Sequence, residues 1–445
     1  MVYCACCGRE LSADSDNDPG SLCAQCFHAM DTGEDLAPAP ETLVPQSAPV
    51  SFPITKVIVL LNCAVFVAMG FPFHGSSKGQ LLKWGADWGP LSLDGQLWRI
   101  FTSMFVHDGL NHILANMLGL WIVGKMAERI FGRWFFLCLY AISGVAGTIV
   151  TLAIRPEVIH CGASGAIFGL LGAVITATYF GELPEPATKL GKRLWPLLIF
   201  AAYSLFSGAK NPHINNAAHI GGLSIGVVMG FFVSQKVVEA GGAFARQKRR
   251  LIGIAALILA LSMVLVRHYN SWVIPLELAR EAIEADKLDD ASRYLMMVLE
   301  KRPNDVQANV ITGAVYIEKA DYAHAEASLK RALAVDSHNT SAEYTLGLVY
   351  LRSGRFDDAL DITAKLLQRG VMGVDEQALF AAALDGKGNH VLAGDTYLDL
   401  HYYDEAIASF QKALQQKPDD EHSKQRLAQA YRAKGMNEAA DALER

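Results

Sequence analysis

Charge is scarce in this chain. Asp, Glu, Lys and Arg make up 19% of its 445 residues, below the quarter usual in soluble proteins. The formal net charge is −6, and no long basic block accompanies it. That leaves nucleic acid without support as a partner, because phosphate binding needs clustered cations. The start of the chain also lacks the basic stretch and apolar run of a cleavable leader, so the N-terminus is expected to stay in the cytosol. Evenly spread cysteines are missing too. Of eight, Cys4, Cys6, Cys7, Cys23 and Cys26 crowd the beginning, while Cys63, Cys138 and Cys161 lie scattered in apolar stretches, which does not read as a disulfide framework.

Apolar residues are what the chain has in excess: 51% of it is hydrophobic, concentrated between residues 54 and 267. Segments able to cross a hydrocarbon layer of about 30 Å centre on 54–73, 111–130, 134–154, 162–181, 194–209, 217–235 and 251–267. The fifth contains Pro196, placed by these limits in a first turn, where its missing N–H costs little. Lys125, Arg129 and Arg133, then Lys189, Lys192 and Arg193, then Lys236, Arg246, Lys248, Arg249 and Arg250 fall on one side of this pattern. The bias predicts a cytosolic N-terminus and, after seven spans, a C-terminal region outside.

Residues 272–445 repeat at a period of 34: Gly313, Tyr316, Ala325, Leu329 and Ala332, then Gly347, Tyr350 and Ala359. After thirteen extra residues come Gly394, Tyr397, Ala406, Phe410, Ala413 and Pro418. This resembles tetratricopeptide repeats, helix pairs that stack into a solenoid with a concave face for a protein or peptide partner. The N-terminal cysteines offer Cys4-x2-Cys7 and, fifteen residues on, Cys23-x2-Cys26, a spacing suited to tetrahedral structural Zn2+, with Cys6 left over as a substitute ligand. The expected organisation is a zinc-ribbon-like module (1–30), a Pro- and Ala-rich linker (31–50), a membrane core (51–236), a basic loop with a seventh span (237–271) and the repeats (272–445). The fold class is all-α: a polytopic membrane bundle followed by a soluble solenoid.

Polar groups inside a membrane bundle are site candidates by default. His112 and Asn116, four apart, share a helix face. Ser164 precedes a stripe of Gly165 and Gly169, and His219 precedes Gly222, Gly226 and Gly230. Small residues at every fourth position let two helices approach closely, so His219 is placed to act as base for a Ser164 nucleophile. No acidic residue is placed to orient His219, and a dyad is expected. His112, Asn116 and the Ser164 N–H are candidate donors for the oxyanion. Alone, Ser164 reads as a packing residue and Trp98 and Arg99 as anchors of the first outer loop. Cys161 beside His160 is a weaker nucleophile candidate, since sequence neighbours rarely present both side chains to one substrate.

Together these motifs resemble the rhomboid family of intramembrane serine proteases over about 54–235. The match rests on Trp98-Arg99, His112-x3-Asn116, Gly162-x-Ser164-Gly165 and Ala218-His219-x2-Gly222, in that order. The resemblance implies Ser164 and His219 as catalytic groups, His112 and Asn116 in the oxyanion hole, no catalytic cofactor, and cleavage of transmembrane protein substrates near the outer face of the lipid bilayer. It also implies a six-helix core, here with a seventh span. Phe168 stands where a tyrosine is frequent, keeping a ring to pack on His219. The rival is a catalytically inactive rhomboid-like scaffold that binds membrane proteins. A bacterial inner membrane is the expected location, with the repeats periplasmic.

Overall fold

A computed structural model describes residues 52–180, 191–210, 215–234 and 242–443. The cysteine module and the linker lie outside the described residues. The regular structure among the described residues is helical, apart from one isolated antiparallel bridge between Asp87 and His160. Each of the seven predicted apolar segments has a helix as its counterpart, α1 (Pro53–Ala68), α5 (Leu110–Phe131), α6 (Arg133–Ile154), α7 (Ser164–Phe180), α8 (Gly191–Lys210), α9 (Asn216–Ser234) and α10 (Gly242–Asn270), although α1 stops five residues short of the predicted 73 and α7 starts two residues after the predicted 162. Between α1 and α5 lie three short helices, α2 (Lys78–Lys83), α3 (Gly89–Ser92) and α4 (Arg99–Thr102), and a 3-10 turn at Ser103–Phe105. Among the described residues, three helices are long and apolar enough to cross a membrane: Arg133–Ile154, Asn216–Val233 and Arg246–Asn270. Pro53–Ala68 and Ser164–Phe180 are apolar but shorter. Helix α8 begins three residues before the predicted 194, which puts Pro196 in its second turn rather than its first.

Helix α7 is the hub of the bundle. It is buried on nearly every side, as expected of a helix apolar all round. It packs most closely on α9, through the two predicted small-residue stripes. A Cβ on Gly222 would overlap the Gly165 carbonyl, one on Gly226 the Gly169 carbonyl, and one on Gly230 would lie 2.6 Å from Ala173 Cα. Without side chains at these positions the two backbones touch. Helix α1 is tied in differently. Glu128 near the end of α5 accepts from the N–H groups of Ile54 (3.1 Å) and Thr55 (2.9 Å) and from Thr55 Oγ1 (2.7 Å), a carboxylate placed where a helix N-terminus has orphan donors. Helix α10 covers α6 and otherwise presents an apolar surface, with Leu257, Leu261 and Val264 exposed.

The repeats comprise α11 (Val273–Glu284), α12 (Leu288–Lys301), α13 (Val306–Glu318), α14 (Tyr322–Val335), α15 (Thr340–Arg352), α16 (Phe356–Gln368), α17 (Val374–Gly386), α18 (His390–Asp399), α19 (Tyr403–Gln416), α20 (Glu421–Ala433) and α21 (Asn437–Leu443). Each of these packs on its neighbours in sequence. Asp305, Asp321, Asn339 and Asp420 cap helix starts by accepting from a backbone N–H three residues on. The thirteen extra residues are accounted for by one added helix. Helix α18 packs back on α17 and forward on α19, so Gly394 and Tyr397 open a second pairing after the 34-residue register has already placed Ala381 in α17 and Ala393 in α18.

The repeat region is fastened to the bundle rather than tethered to it. Asn270 Nδ2 donates to the carbonyls of Leu152 and Ala153 at the end of α6, at 2.9 Å each. Trp272, Val273 and Leu276 are buried in one cluster with Leu93, Ile100, Ile149 and Leu152.

Candidate active site

Three chain segments meet at one end of the bundle: the start of α5, the start of α7 and the start of α9. Gly162 has φ +109°, a left-handed conformation that favours glycine. A Cβ there would sit 2.6 Å from His112 Nε2, so glycine is what lets the chain pass beneath that imidazole. Ser164 then opens α7, and its N–H belongs to the first turn, which lacks intrahelical acceptors.

Ser164 Oγ lies 2.9 Å from His219 Nε2. The His219 ring stacks on Phe168, centroids 4.2 Å apart and planes at 4°, which fixes its tilt toward the serine. Nδ1 of His219 is buried without a hydrogen-bond partner among the described residues. His112 Nδ1 accepts from the Asp108 N–H at 3.3 Å. In the neutral ring that leaves the proton on Nε2, the nitrogen facing Gly162. Asn116 Nδ2 donates to the His112 carbonyl at 2.9 Å and lies 3.8 Å from the Cβ position of Gly162. Two side-chain donors and a helix N-terminus thus surround the position just before Ser164. They line a cavity of about 1100 Å3 with Ser164 and His219.

The remaining predicted residues stand behind this group. Arg99 is buried and donates through Nη1 to the carbonyls of Leu82 (2.7 Å) and Ala86 (3.0 Å). It organises the loop before α5, while Trp98 lies half-exposed against its guanidinium. His107 is buried against His112, with ring centroids 5.1 Å apart, and accepts from the Ala163 N–H at 3.5 Å. Burial and the nearby Asp108 carboxylate push the Cys161 thiol up to about 12, which starves it of thiolate. Cys4, Cys7, Cys23 and Cys26 fall outside the described residues.

Asn215 and Asp87 escaped sequence reading, and His160 was read only as a neighbour of Cys161. Asn215 caps α9: its Oδ1 accepts from the Ala218 N–H at 3.2 Å, and its Nδ2 donates to Thr151 Oγ1 at 2.9 Å and to His160 Nδ1 at 3.0 Å. An Asn just before an apolar run is a helix-start signal, so this one was findable. His160 is held neutral by burial, down to about 3, and exchanges backbone hydrogen bonds with Asp87 at 2.8 and 2.9 Å. Asp87 is buried and raised to about 7 by that burial, with Ser92 Oγ donating to it at 2.5 Å. Nothing in the spacing of Asp87, His160 and Asn215 announces that they join the first loop to the helix carrying His219.

Residues 94–236 match the rhomboid domain, and residues 316–383 and 389–420 match tetratricopeptide repeats. The chain is 27% identical over 302 residues to rhomboid protease GluP of Bacillus subtilis, covering 66% of this chain and 57% of that protein. It is 37% identical over 164 residues to RHOMBOID-like protein 1 of Arabidopsis thaliana, covering 36% and 41%. Against rhomboid protease AarA of Providencia stuartii it is 30% identical over 200 residues, covering 40% and 70%. The chain thus spans about half the length of GluP and RHOMBOID-like protein 1. With its apolar helices, rhomboid domain and C-terminal tetratricopeptide repeats, this integral membrane protein belongs to the rhomboid family.

Proposed function

We propose that the chain is an intramembrane serine endopeptidase working through a Ser164–His219 dyad. The observation that carries this reading is the 2.9 Å contact between Ser164 Oγ and His219 Nε2 inside a cavity that also presents His112 and Asn116. In the proposed reaction His219 Nε2 takes the Ser164 hydroxyl proton as Oγ attacks a peptide carbonyl. The new oxyanion receives hydrogen bonds from His112 Nε2–H, Asn116 Nδ2–H and the Ser164 N–H, one such donor being worth roughly 2.7–4 kcal/mol. Protonated His219 then gives its proton to the departing amine, leaving an acyl-enzyme. A water deprotonated by His219 releases the second product and restores the hydroxyl.

Substrates of this reading are transmembrane proteins whose helix is loosened near the cut by Gly, Pro or polar residues, since an intact helix keeps its carbonyls bonded internally. The Lys and Arg distribution supports a cytosolic N-terminus, with the repeats on the periplasmic side of a bacterial inner membrane. Placement of α11 beside the Ser164 cavity fits repeats and dyad on one face. The test is cleavage of a single-span probe protein with a Gly- and Pro-containing outer third, reconstituted in liposomes. The wild type is expected to cut it within that third. A cut retained in full by Ser164→Ala counts against the reading.

For the N-terminal cysteines the donor set, four thiolates in two C-x2-C pairs, suits a closed structural Zn2+ site at Cys4, Cys7, Cys23 and Cys26. Metal analysis of the purified full chain should find one equivalent of zinc, lost on Cys7→Ser together with Cys26→Ser. Equal zinc in both proteins would dismiss the site.

A further inference from the structure

Arg280 belongs to the first helix of the repeat region, yet its side chain lines the same cavity as Ser164, His112 and His219. Its position is secured on several sides. Val273 and Leu276, one turn and more before it, are buried with Leu93 and Leu152 of the bundle. Glu277 Oε1 takes Lys78 Nζ at 3.0 Å, and Lys78 lies 3.8 Å above the Trp88 ring at the cavity wall. Helix α11 therefore forms part of the mouth of the site.

Charge at that wall is uneven. Lys78 and Arg280 share one carboxylate, with Arg280 Nη1 at 3.2 Å from Glu277 Oε2. The Glu277 side chain is recessed at 14% exposure, while Arg280 is 35% and Lys78 54% exposed. Two cations on a single recessed carboxylate leave a net positive charge facing outward. The neighbouring Arg155 and Glu157, 3.9 Å apart, balance each other. Asp108, the other carboxylate of the lining, is exposed; it accepts the Ser76 N–H at 2.6 Å and sits next to His112.

From this juxtaposition we infer that Arg280, assisted by Lys78, is a specificity determinant that favours substrates carrying an acidic side chain in the segment just outside the membrane. The inference rests on the protease reading above. A chain held at Ser164 and leaving along α11 brings its first extramembrane residues past these cations before it reaches the repeat array. Because the pair is partly solvated, its effect is one of selection and encounter rather than of chemistry, and it weakens with salt.

The test uses two single-span probe proteins that differ by one Asp-to-Lys exchange, placed in turn at each residue of the outer flanking segment. Wild-type enzyme is expected to prefer the Asp probe in kcat/KM by about fivefold at one or more positions. Arg280→Gln should bring that ratio near one, and Arg280→Glu should invert it. Each ratio is measured on one preparation, so a loss of folded enzyme cancels, and the Gln variant removes charge while keeping a polar side chain. Ser164-dependent cleavage with the same ratio in wild type and Arg280→Gln at every position overturns the inference alone. Folded wild type that cuts neither probe overturns the protease reading with it.

Discussion

A fluorophosphonate is expected to label the wild-type protein in detergent at Ser164, and both Ser164→Ala and His219→Ala should lower the rate by about 10^4-fold or more. Ser164→Ala removes the atom that bonds to phosphorus. His219→Ala leaves the hydroxyl in place but strips away its proton acceptor at 2.9 Å. The size of the second effect follows from the dyad's economy. Among the described residues the Ser164 hydroxyl has no hydrogen-bond acceptor other than His219 Nε2, so no second base is in reach there. Variants at the oxyanion side should behave differently: His112→Ala and Asn116→Ala are each expected to cost about 10^2-fold, because each leaves other donors in place. Mass spectrometry of the labelled peptide together with second-order labelling rates checks the set. Labelling of His219→Ala at the wild-type rate would remove it as the base. Labelling at Cys161 instead would transfer the chemistry to the thiol.

What could be read from the sequence, and what could not, divides along physical lines. Ser164, His112, Asn116 and the glycine stripes were legible because helical periodicity converts spacing into a shared face, and small residues at every fourth position convert a face into a contact. The seven apolar segments were legible for the same reason that hydropathy works at all: a lipid-facing or buried helix must be apolar over its whole length. The connections that cross between loops were hidden. The bridge from Asp87 to His160 and the amide of Asn215 that joins His160 to Thr151 involve partners 55 to 73 residues apart, and no local pattern encodes them. The Glu128 carboxylate likewise receives the start of α1 from more than 70 residues away, a contact set by where an orphaned helix end arrives. Arg280 was invisible for a stronger reason. It lies within an ordinary repeat helix, and only the burial of Val273 and Leu276 against the bundle brings it to the cavity.

Gly222→Ala should slow labelling of Ser164 by about 10^2-fold or more and lower the thermal midpoint, whereas Gly253→Ala should do neither. The two glycines lie in neighbouring apolar helices, but a Cβ on Gly253 meets nothing within 4 Å, while one on Gly222 lands on the carbonyl of Gly165. Backbone cannot rotate away as a side chain can, so α7 and α9 must separate. Overpacking of this kind typically costs about 1–3 kcal/mol, and it falls at the worst place. Gly165 directly follows Ser164, and Gly222 lies three residues after His219. A separation of about 1 Å is enough to cost roughly 10^2-fold in a reaction that depends on alignment, before any loss of folded protein. Gly253→Ala, by contrast, places a better helix former in open space, a change favourable by up to about 1 kcal/mol. Thermal unfolding and the labelling rate, measured on both variants, separate the cases. Wild-type values for Gly222→Ala would mean that the helices have slack to absorb a methyl group. The dyad distance would then be set by the loops and by the Asn215 cap rather than by the contact of two bare backbones.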